Sequence, residues 1–159
     1  MSAAAVPVSA ETPLMPQTLI SEARAAGCEQ VEDFFTRPGM IKPPYVYGYL
    51  PGREDRSVVY WCEHRENGQR QFWLMVTTPP EERRCPERIN WPNYPGGLTI
   101  ERGKKVKPER FVYVSEWGQP KRKIPKSARF GSVGIQTEYD GVGARFYCYK
   151  GEWGVQLFH

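Results

Sequence analysis

The chain has 159 residues, of which 40% are hydrophobic and 25% charged, and its formal net charge is +4. This length suits one domain, and this composition excludes a wholly disordered chain, a collagen-like fibre and a coiled coil. No stretch is apolar over the roughly 18 to 20 residues that a membrane-spanning helix needs, so no membrane span is expected. The 15 glycines and 15 prolines indicate many turns and a chain rich in short strands.

Residues 1–16 are small and apolar, and prolines at 7, 13 and 16 interrupt them. A signal peptide has a positive region before an uninterrupted apolar one. We therefore interpret residues 1–16 as a flexible arm, followed by a single α+β domain over residues 17–159.

The four cysteines are Cys28, Cys62, Cys85 and Cys148. They are widely spaced, include no C-x-x-C pair and are too few for a disulfide-dense secreted scaffold. This usage favours reduced thiols and a cytoplasmic protein.

Residues 17–36 carry the only clear helical periodicity, with Leu19, Ile20 and Phe34 among the apolar residues of one face. A glycine inside a helix costs about 1 kcal/mol relative to alanine, so Gly27 is expected to divide this segment into two shorter helices. The sequence Arg-Pro-Gly at 37–39 is expected to end it, because proline cannot continue the helical hydrogen bonding.

Three β-rich segments follow at residues 45–50, 56–64 and 70–76. The dipeptide Asn67-Gly68 predicts a two-residue hairpin turn, which places Cys62 opposite Trp73 and Val59 opposite Val76. Both faces of the hairpin are then largely apolar, so it is expected to lie centrally in the fold and to be covered on both sides.

The C-terminal third predicts a three-stranded meander of residues 130–139, 142–150 and 153–159, with turns at Asp140-Gly141 and Gly151-Glu152. This register aligns two rows of apolar residues on one face: Ile135, Phe146 and Leu157, and then Val133, Cys148 and Val155. The opposite face carries Arg145, Tyr147, Tyr149 and Phe158, with Gly134 and Gly154 beside them.

Residues 110–117 predict one further strand, whereas the proline-rich residues 77–109 are interpreted as a long irregular connection. The predicted fold is therefore α+β. An N-terminal helix packs on a curled antiparallel sheet of about six to eight strands, which could form a half-barrel.

The sequence offers little support for catalysis. There is no G-x-S-x-G, Walker A or G-x-G-x-x-G motif, and the only histidines are His64 and the terminal His159. Cys62 and His64 lie on one strand face, but no second Cys/His pair completes a zinc site. We predict no catalytic residue, metal or cofactor, and the sequence leans against an enzyme.

The charge is concentrated in residues 102–129, which hold ten basic and two acidic residues, whereas the rest of the chain has a net charge of −4. This window has two basic segments, 101–110 and 119–130, separated by the predicted strand, which would place them about 20 Å apart. The predicted partner-binding cations are Lys104, Lys105, Lys107, Lys121, Arg122, Lys123 and Lys126. Such a cluster suits an acidic protein or a nucleic acid, although it also suits a solvated sheet edge.

Aromatic residues beside these cations extend the predicted site. Trp91 and Tyr94, in a proline-stiffened loop, could anchor a partner or fold back onto the sheet. On the meander, Arg145 and Tyr147 could provide a stacking surface for single-stranded nucleic acid, or Tyr147 could belong to the core.

The leading hypothesis is a small non-enzymatic binding protein that recognises an acidic partner. Protein is slightly preferred over nucleic acid, because a net charge of +4 is low for a dedicated nucleic-acid binder. The alternatives are a single-stranded nucleic-acid binder, and a small enzyme or ligand-binding barrel with a pocket near Tyr60, Cys62, His64 and Trp73. The sequence leaves the oligomeric state undetermined.

Overall fold

The computed structural model describes residues 16–29, 45–48, 57–77, 85–91, 95–102, 106–116, 120–130, 133–139 and 141–158. Within them are one helix and nine strands in two antiparallel sheets. The helix is α1 (Gln17–Ala25). The strands are β1 (Tyr45–Gly48), β2 (Ser57–Glu66), β3 (Gln69–Val76), β4 (Arg88–Trp91), β5 (Gly97–Arg102), β6 (Val112–Tyr113), β7 (Val133–Tyr139), β8 (Val142–Tyr149) and β9 (Glu152–Phe158).

The α+β class is confirmed, with the strands divided between two sheets. The first sheet has the order β1-β2-β3-β4, and the second has the order β5-β7-β8-β9-β6. Their inner faces share one apolar core, to which Trp61 and Leu74 contribute from the first sheet and Phe146 and Val155 from the second. Two indole N–H groups add hydrogen bonds across the molecule: Trp61 donates to the carbonyl of Gly96, and Trp153 to that of Pro86, each at 2.8 Å.

The predicted β2–β3 hairpin is confirmed in its turn and in its register. Asn67 and Gly68 have φ angles of 51° and 77°, the left-handed values that this turn requires. Cys62 pairs with Trp73, and Val59 with Val76. Both faces are covered, because one faces the second sheet and the other lies under α1, where Leu19, Ile20 and Ala23 are buried.

α1 ends at Ala25, and Gly27 follows it with a φ of 101°, as expected of a residue that interrupts a helix. The residues from 30 to 44 lie outside the described part of the chain, and the predicted second helix falls among them.

The meander is confirmed as β7–β8–β9, but its second turn lies one residue earlier than predicted. The turn residues are Lys150 and Gly151, with φ angles of 46° and 82°. Phe146 therefore pairs with Val155, and Leu157 pairs with Ala144 and is 42% exposed. Because the register moves by two residues, each side chain keeps its predicted face.

Two predictions for the middle of the chain are wrong. The connection expected over residues 77–109 contains β4 and β5, which pair with β3 and β7 respectively. The strand expected over residues 110–117 is reduced to β6, between 3₁₀ turns at Pro108–Arg110 and Val114–Glu116.

The expectation of reduced thiols is also wrong, because all four cysteines form disulfides. Cys28, three residues after α1, is bonded to Cys62 in β2, and Cys85 before β4 is bonded to Cys148 in β8. The first bond fastens the helix to the first sheet, and the second joins the two sheets. Each pair is buried within a single apolar cluster: Cys28 and Cys62 lie in the cluster under α1, and Cys85 and Cys148 lie in the core between the sheets.

Candidate interaction surface

The second basic segment lies beside the residues that directly follow the first. Ile124 N–H donates to the carbonyl of Phe111 at 3.2 Å, and Tyr113 N–H donates to that of Arg122 at 3.3 Å. An isolated antiparallel bridge joins Val112 to Lys123. The predicted separation of about 20 Å is therefore wrong. We call residues 106–116 and 120–130 the basic flap; they contain the end of the first basic segment, the residues that follow it and the described part of the second.

Aromatic packing holds the basic flap on the outer face of the second sheet. Phe111 and Ile124 are buried there together with Tyr147 of β8. The Tyr147 ring stacks on Phe130 at a centroid distance of 5.2 Å and meets Phe111 edge-on at 5.6 Å. These contacts explain why the flap folds onto the sheet, since its apolar residues bury surface against an aromatic face.

Tyr147 is consequently only 1% exposed, so its ring offers no stacking surface to a nucleic acid in this structure. Burial raises the pKa of its phenol, and the Glu101 carboxylate acts in the same direction. The neighbouring glycines are covered as well. A Cβ atom at Gly134 would lie 2.4 Å from the Tyr147 ring, and one at Gly154 would lie 2.4 Å from Ile124 Cδ1.

The described part of the basic flap contains seven basic and two acidic residues. All seven basic residues are exposed: Lys107, Arg110, Lys121, Arg122, Lys123, Lys126 and Arg129. Lys104 and Lys105, which were also predicted to bind a partner, lie outside the described residues.

Carboxylates hold Arg122 from two sides. Its guanidinium donates to Glu116 Oε1 at 2.7 Å and to Glu152 Oε1 at 3.3 Å, and it lies 4.5 Å from the centroid of the Tyr113 ring. The hydrogen bond to Glu116 is the main cause that raises the pKa of Arg122. Arg122 therefore connects the flap to β9, and the lysines around it form the accessible positive surface.

Arg145 is also engaged within the fold. Its guanidinium lies 3.3 Å from Glu101 Oε1 and 4.4 Å from the centroid of the Phe158 ring, and its side chain is 20% exposed. Both of these partners belong to the second sheet, Glu101 to β5 and Phe158 to β9, and neither belongs to the basic flap.

The face proposed for a ligand pocket packs against α1. Tyr60, Cys62 and Trp73 are buried in the same cluster as Leu19 and Ile20. Burial, together with nearby carboxylates, raises the pKa of Tyr60 to about 12. The His64 ring lies against Trp73 at a centroid distance of 3.6 Å. Cys62 is bonded to Cys28, so it has no thiolate to offer as a nucleophile or metal ligand.

A cleft of about 640 Å³ lies at one end of the inter-sheet core. Its walls include Phe72, Trp91 and Trp153. Polar side chains around it include Arg70, Arg88, Asn90, Ser115 and Glu152. Trp91 is thus part of this cleft, although it is only 6% exposed and meets Phe146 edge-on at 5.2 Å. Tyr94, its predicted companion, lies outside the described residues.

The cleft was not predicted from the sequence, because residues 77–109, which include β4, were expected to be an irregular connection. The short alternation Arg88-Ile89-Asn90-Trp91, in which the second and fourth residues are buried, was the available signal for a strand. Arg70 is placed at the cleft by a hydrogen-bonded ion pair with the buried Glu63. This pair joins residues on the two sides of the Asn67-Gly68 turn.

The described residues contain no group of three or more His, Cys, Asp or Glu side chains that could hold a metal ion. No helix in that part of the chain is long and apolar enough to cross a membrane. A scan of protein-family models finds no match to the chain, and searches of curated proteins and of solved structures find no significant similarity. The geometry of the flap and the cleft is therefore the basis for inferring the function.

Proposed function

We propose that this chain is a non-enzymatic binding protein that recognises an acidic partner protein through the basic flap. The observation that carries the proposal is the hydrogen-bonded pairing of residues 111–113 with 122–124, which brings the second basic segment beside the end of the first. With seven basic and two acidic residues, this substructure has a formal charge of +5, larger than that of the whole chain. Such a local field attracts and orients an acidic surface.

Two observations favour a protein over a nucleic acid as the partner. The total charge of +4 is low for a nucleic-acid binder. The Tyr147 ring, which could have stacked on bases, is covered by Phe111 and Phe130. The proposed recognition is therefore electrostatic, with the lysines around the Arg122 ion pairs as its main contacts.

We further propose that the protein works in an oxidising compartment and not in the cytoplasm. Structural disulfides persist in oxidising environments and are rare in the reducing cytosol. Both bonds are buried and connect separate elements of the fold, which is the arrangement expected of structural disulfides.

The test is a binding titration with poly-L-glutamate and with single-stranded and duplex oligonucleotides over a range of salt concentrations. Lys123→Glu with Lys126→Glu should weaken poly-L-glutamate binding about tenfold, because each reversal replaces an attraction with a repulsion. Each reversal is also made singly and compared with Arg65→Glu, an equal change in charge at an exposed position of β2. Arg65→Glu should leave the affinity nearly unchanged.

The oligonucleotides distinguish the two partner classes. If four lysines (Lys107, Lys121, Lys123 and Lys126) neutralised phosphates of a single strand, the slope of log K against log salt would be about −3. That slope, together with tighter binding to the oligonucleotide than to poly-L-glutamate, would identify nucleic acid as the preferred partner class. Equal poly-L-glutamate affinities for the flap variants and for Arg65→Glu would refute the flap as the binding site.

A further inference from the structure

Strand β4 forms the last position of the first sheet, so one of its long sides faces no other strand within the described residues. Val76 N–H donates to the carbonyl of Glu87 at 2.7 Å, which fixes the alternation of hydrogen bonds along the β3–β4 ladder. Backbone hydrogen bonding toward a neighbouring strand alternates from one residue to the next. Ile89 and Trp91, two and four residues after Glu87, therefore also direct their N–H and C=O groups toward β3. The N–H and C=O groups of Arg88 and Asn90 therefore point away from the sheet.

The cleft runs along this open side. All four residues of β4 line it, together with Val114, Ser115 and the β8–β9 turn at Gly151 and Glu152. An edge strand beside a groove has the geometry for β-augmentation, in which an extended peptide adds its backbone to the sheet.

The side chains of β4 define the sequence that would fit beside it. Ile89 and Trp91 are buried on the inner face, whereas Arg88 and Asn90 are exposed on the outer face. The Arg88 guanidinium lies 4.0 Å from the centroid of the Trp73 ring, a contact that holds its charge on the outer face. Because a paired strand keeps the same alternation of faces, its side chains should be apolar toward the core and acidic toward Arg88.

We infer that β4 and its cleft bind an extended segment of alternating acidic and apolar residues as an additional strand of the first sheet. This inference rests on the proposed recognition of an acidic protein and specifies the segment recognised. The 3₁₀ turn Val114–Glu116 belongs to the basic flap and also borders the cleft, so one partner can contact both surfaces.

The experiment compares two labelled peptides of identical composition and charge: one alternates Glu and Val, and the other has its Glu and Val residues in separate blocks. Recognition by the flap alone would bind the blocked peptide at least as tightly, because it responds to charge and the block concentrates the charge. If the peptide pairs with β4, the alternating peptide should bind about tenfold more tightly than the blocked one. One or two additional backbone hydrogen bonds account for a difference of this size, and only the alternating peptide also places its side chains on the matching faces.

Asn90→Pro tests the backbone directly. It removes an N–H that the β3–β4 ladder does not use, and proline is tolerated at such positions on edge strands. The alternating peptide should lose about tenfold in affinity, and the blocked peptide should lose none. Asn90→Ala removes the side chain but keeps the N–H, so it should produce the smaller loss. Unchanged thermal unfolding would show that the proline variant is folded.

Amide hydrogen exchange provides the second measurement. Exchange at Arg88 and Asn90 should slow when the alternating peptide binds, since their N–H groups become hydrogen-bonded. Binding of the blocked peptide at least as tight as that of the alternating one, with no effect of Asn90→Pro, would refute the strand pairing and leave the flap proposal standing. No binding of either peptide would refute both. A dimer of the free protein that Asn90→Pro dissociates would assign the β4 edge to self-association and overturn the inference.

Discussion

Removal of the Cys85–Cys148 disulfide is expected to cost a large part of the stability of this protein. The bond spans 63 residues of sequence and joins the segment before β4 to β8, and hence the first sheet to the second. Cys85→Ala with Cys148→Ala removes it without burying a hydroxyl group in the apolar core. The matched variant is Cys28→Ala with Cys62→Ala, which removes a bond over 34 residues between α1 and β2.

The magnitude follows from the chain entropy that each bond removes from the unfolded state. For a loop of 63 residues this entropy corresponds to about 4.3 kcal/mol at 25 °C, and for 34 residues to about 3.8 kcal/mol. Domains of this size are stable by about 5 to 15 kcal/mol, so either loss is a substantial part of the total. Because the loop term grows only with the logarithm of length, the two variants should differ from each other by less than about 1 kcal/mol.

The assay is equilibrium unfolding in urea, followed by tryptophan fluorescence, for the oxidised protein and for both double variants. Thiol titration of the unfolded wild-type protein should detect no free cysteine before reduction. Four reactive thiols without reductant would refute the disulfide assignment and with it the argument for an oxidising compartment. Unchanged unfolding free energies in the variants would instead refute the loop-closure reasoning.

Two further predictions concern the core. Gly134→Ala should lower the unfolding free energy by about 1 to 3 kcal/mol, because the added Cβ would lie 2.4 Å from the buried Tyr147 ring. A double-mutant cycle measured by urea unfolding should show a smaller loss in a Tyr147→Ala background. Equal losses in both backgrounds would mean that the added Cβ clashes with a different group. Tyr60 has a pKa of about 12 in the folded protein, whereas its ordinary pKa is 10.0. The contribution of this shift to the unfolding free energy is therefore complete below pH 10 and disappears as the pH rises toward 12. Tyr60→Phe should reduce this alkaline loss by about 2 kcal/mol, and parallel stability–pH curves for the variant and wild type would contradict the shift.

Local signals were sufficient for the β2–β3 hairpin. Asn67-Gly68 determines both turn conformation and register, and the apolar residues on the two faces indicate that both are covered. The β8–β9 turn was harder to place, because its first residue, Lys150, has a positive φ, which is uncommon for a residue other than glycine. The side chains that face the core were still predicted correctly, because a two-residue change in register leaves every side chain on the same face.

Features that depend on distant partners could not be predicted in the same way. Strand β4 has only four residues and is stabilised by pairing with β3, not by its own propensity. The partners of the four cysteines follow from Cα–Cα distances of 5.5 and 5.9 Å that exist only after folding. The position of the second basic segment beside the end of the first likewise depends on the burial of Phe111 and Ile124 against Tyr147.

The order of the cysteines along the chain has a consequence for biosynthesis. Four cysteines allow three fully paired connectivities, and this fold uses the one that joins the first to the second and the third to the fourth. When oxidation keeps pace with chain emergence, Cys28 meets its native partner before either of the other two cysteines is available. Each crosslink then closes within its own half of the polypeptide, so vectorial oxidation produces the native pattern without disulfide isomerisation.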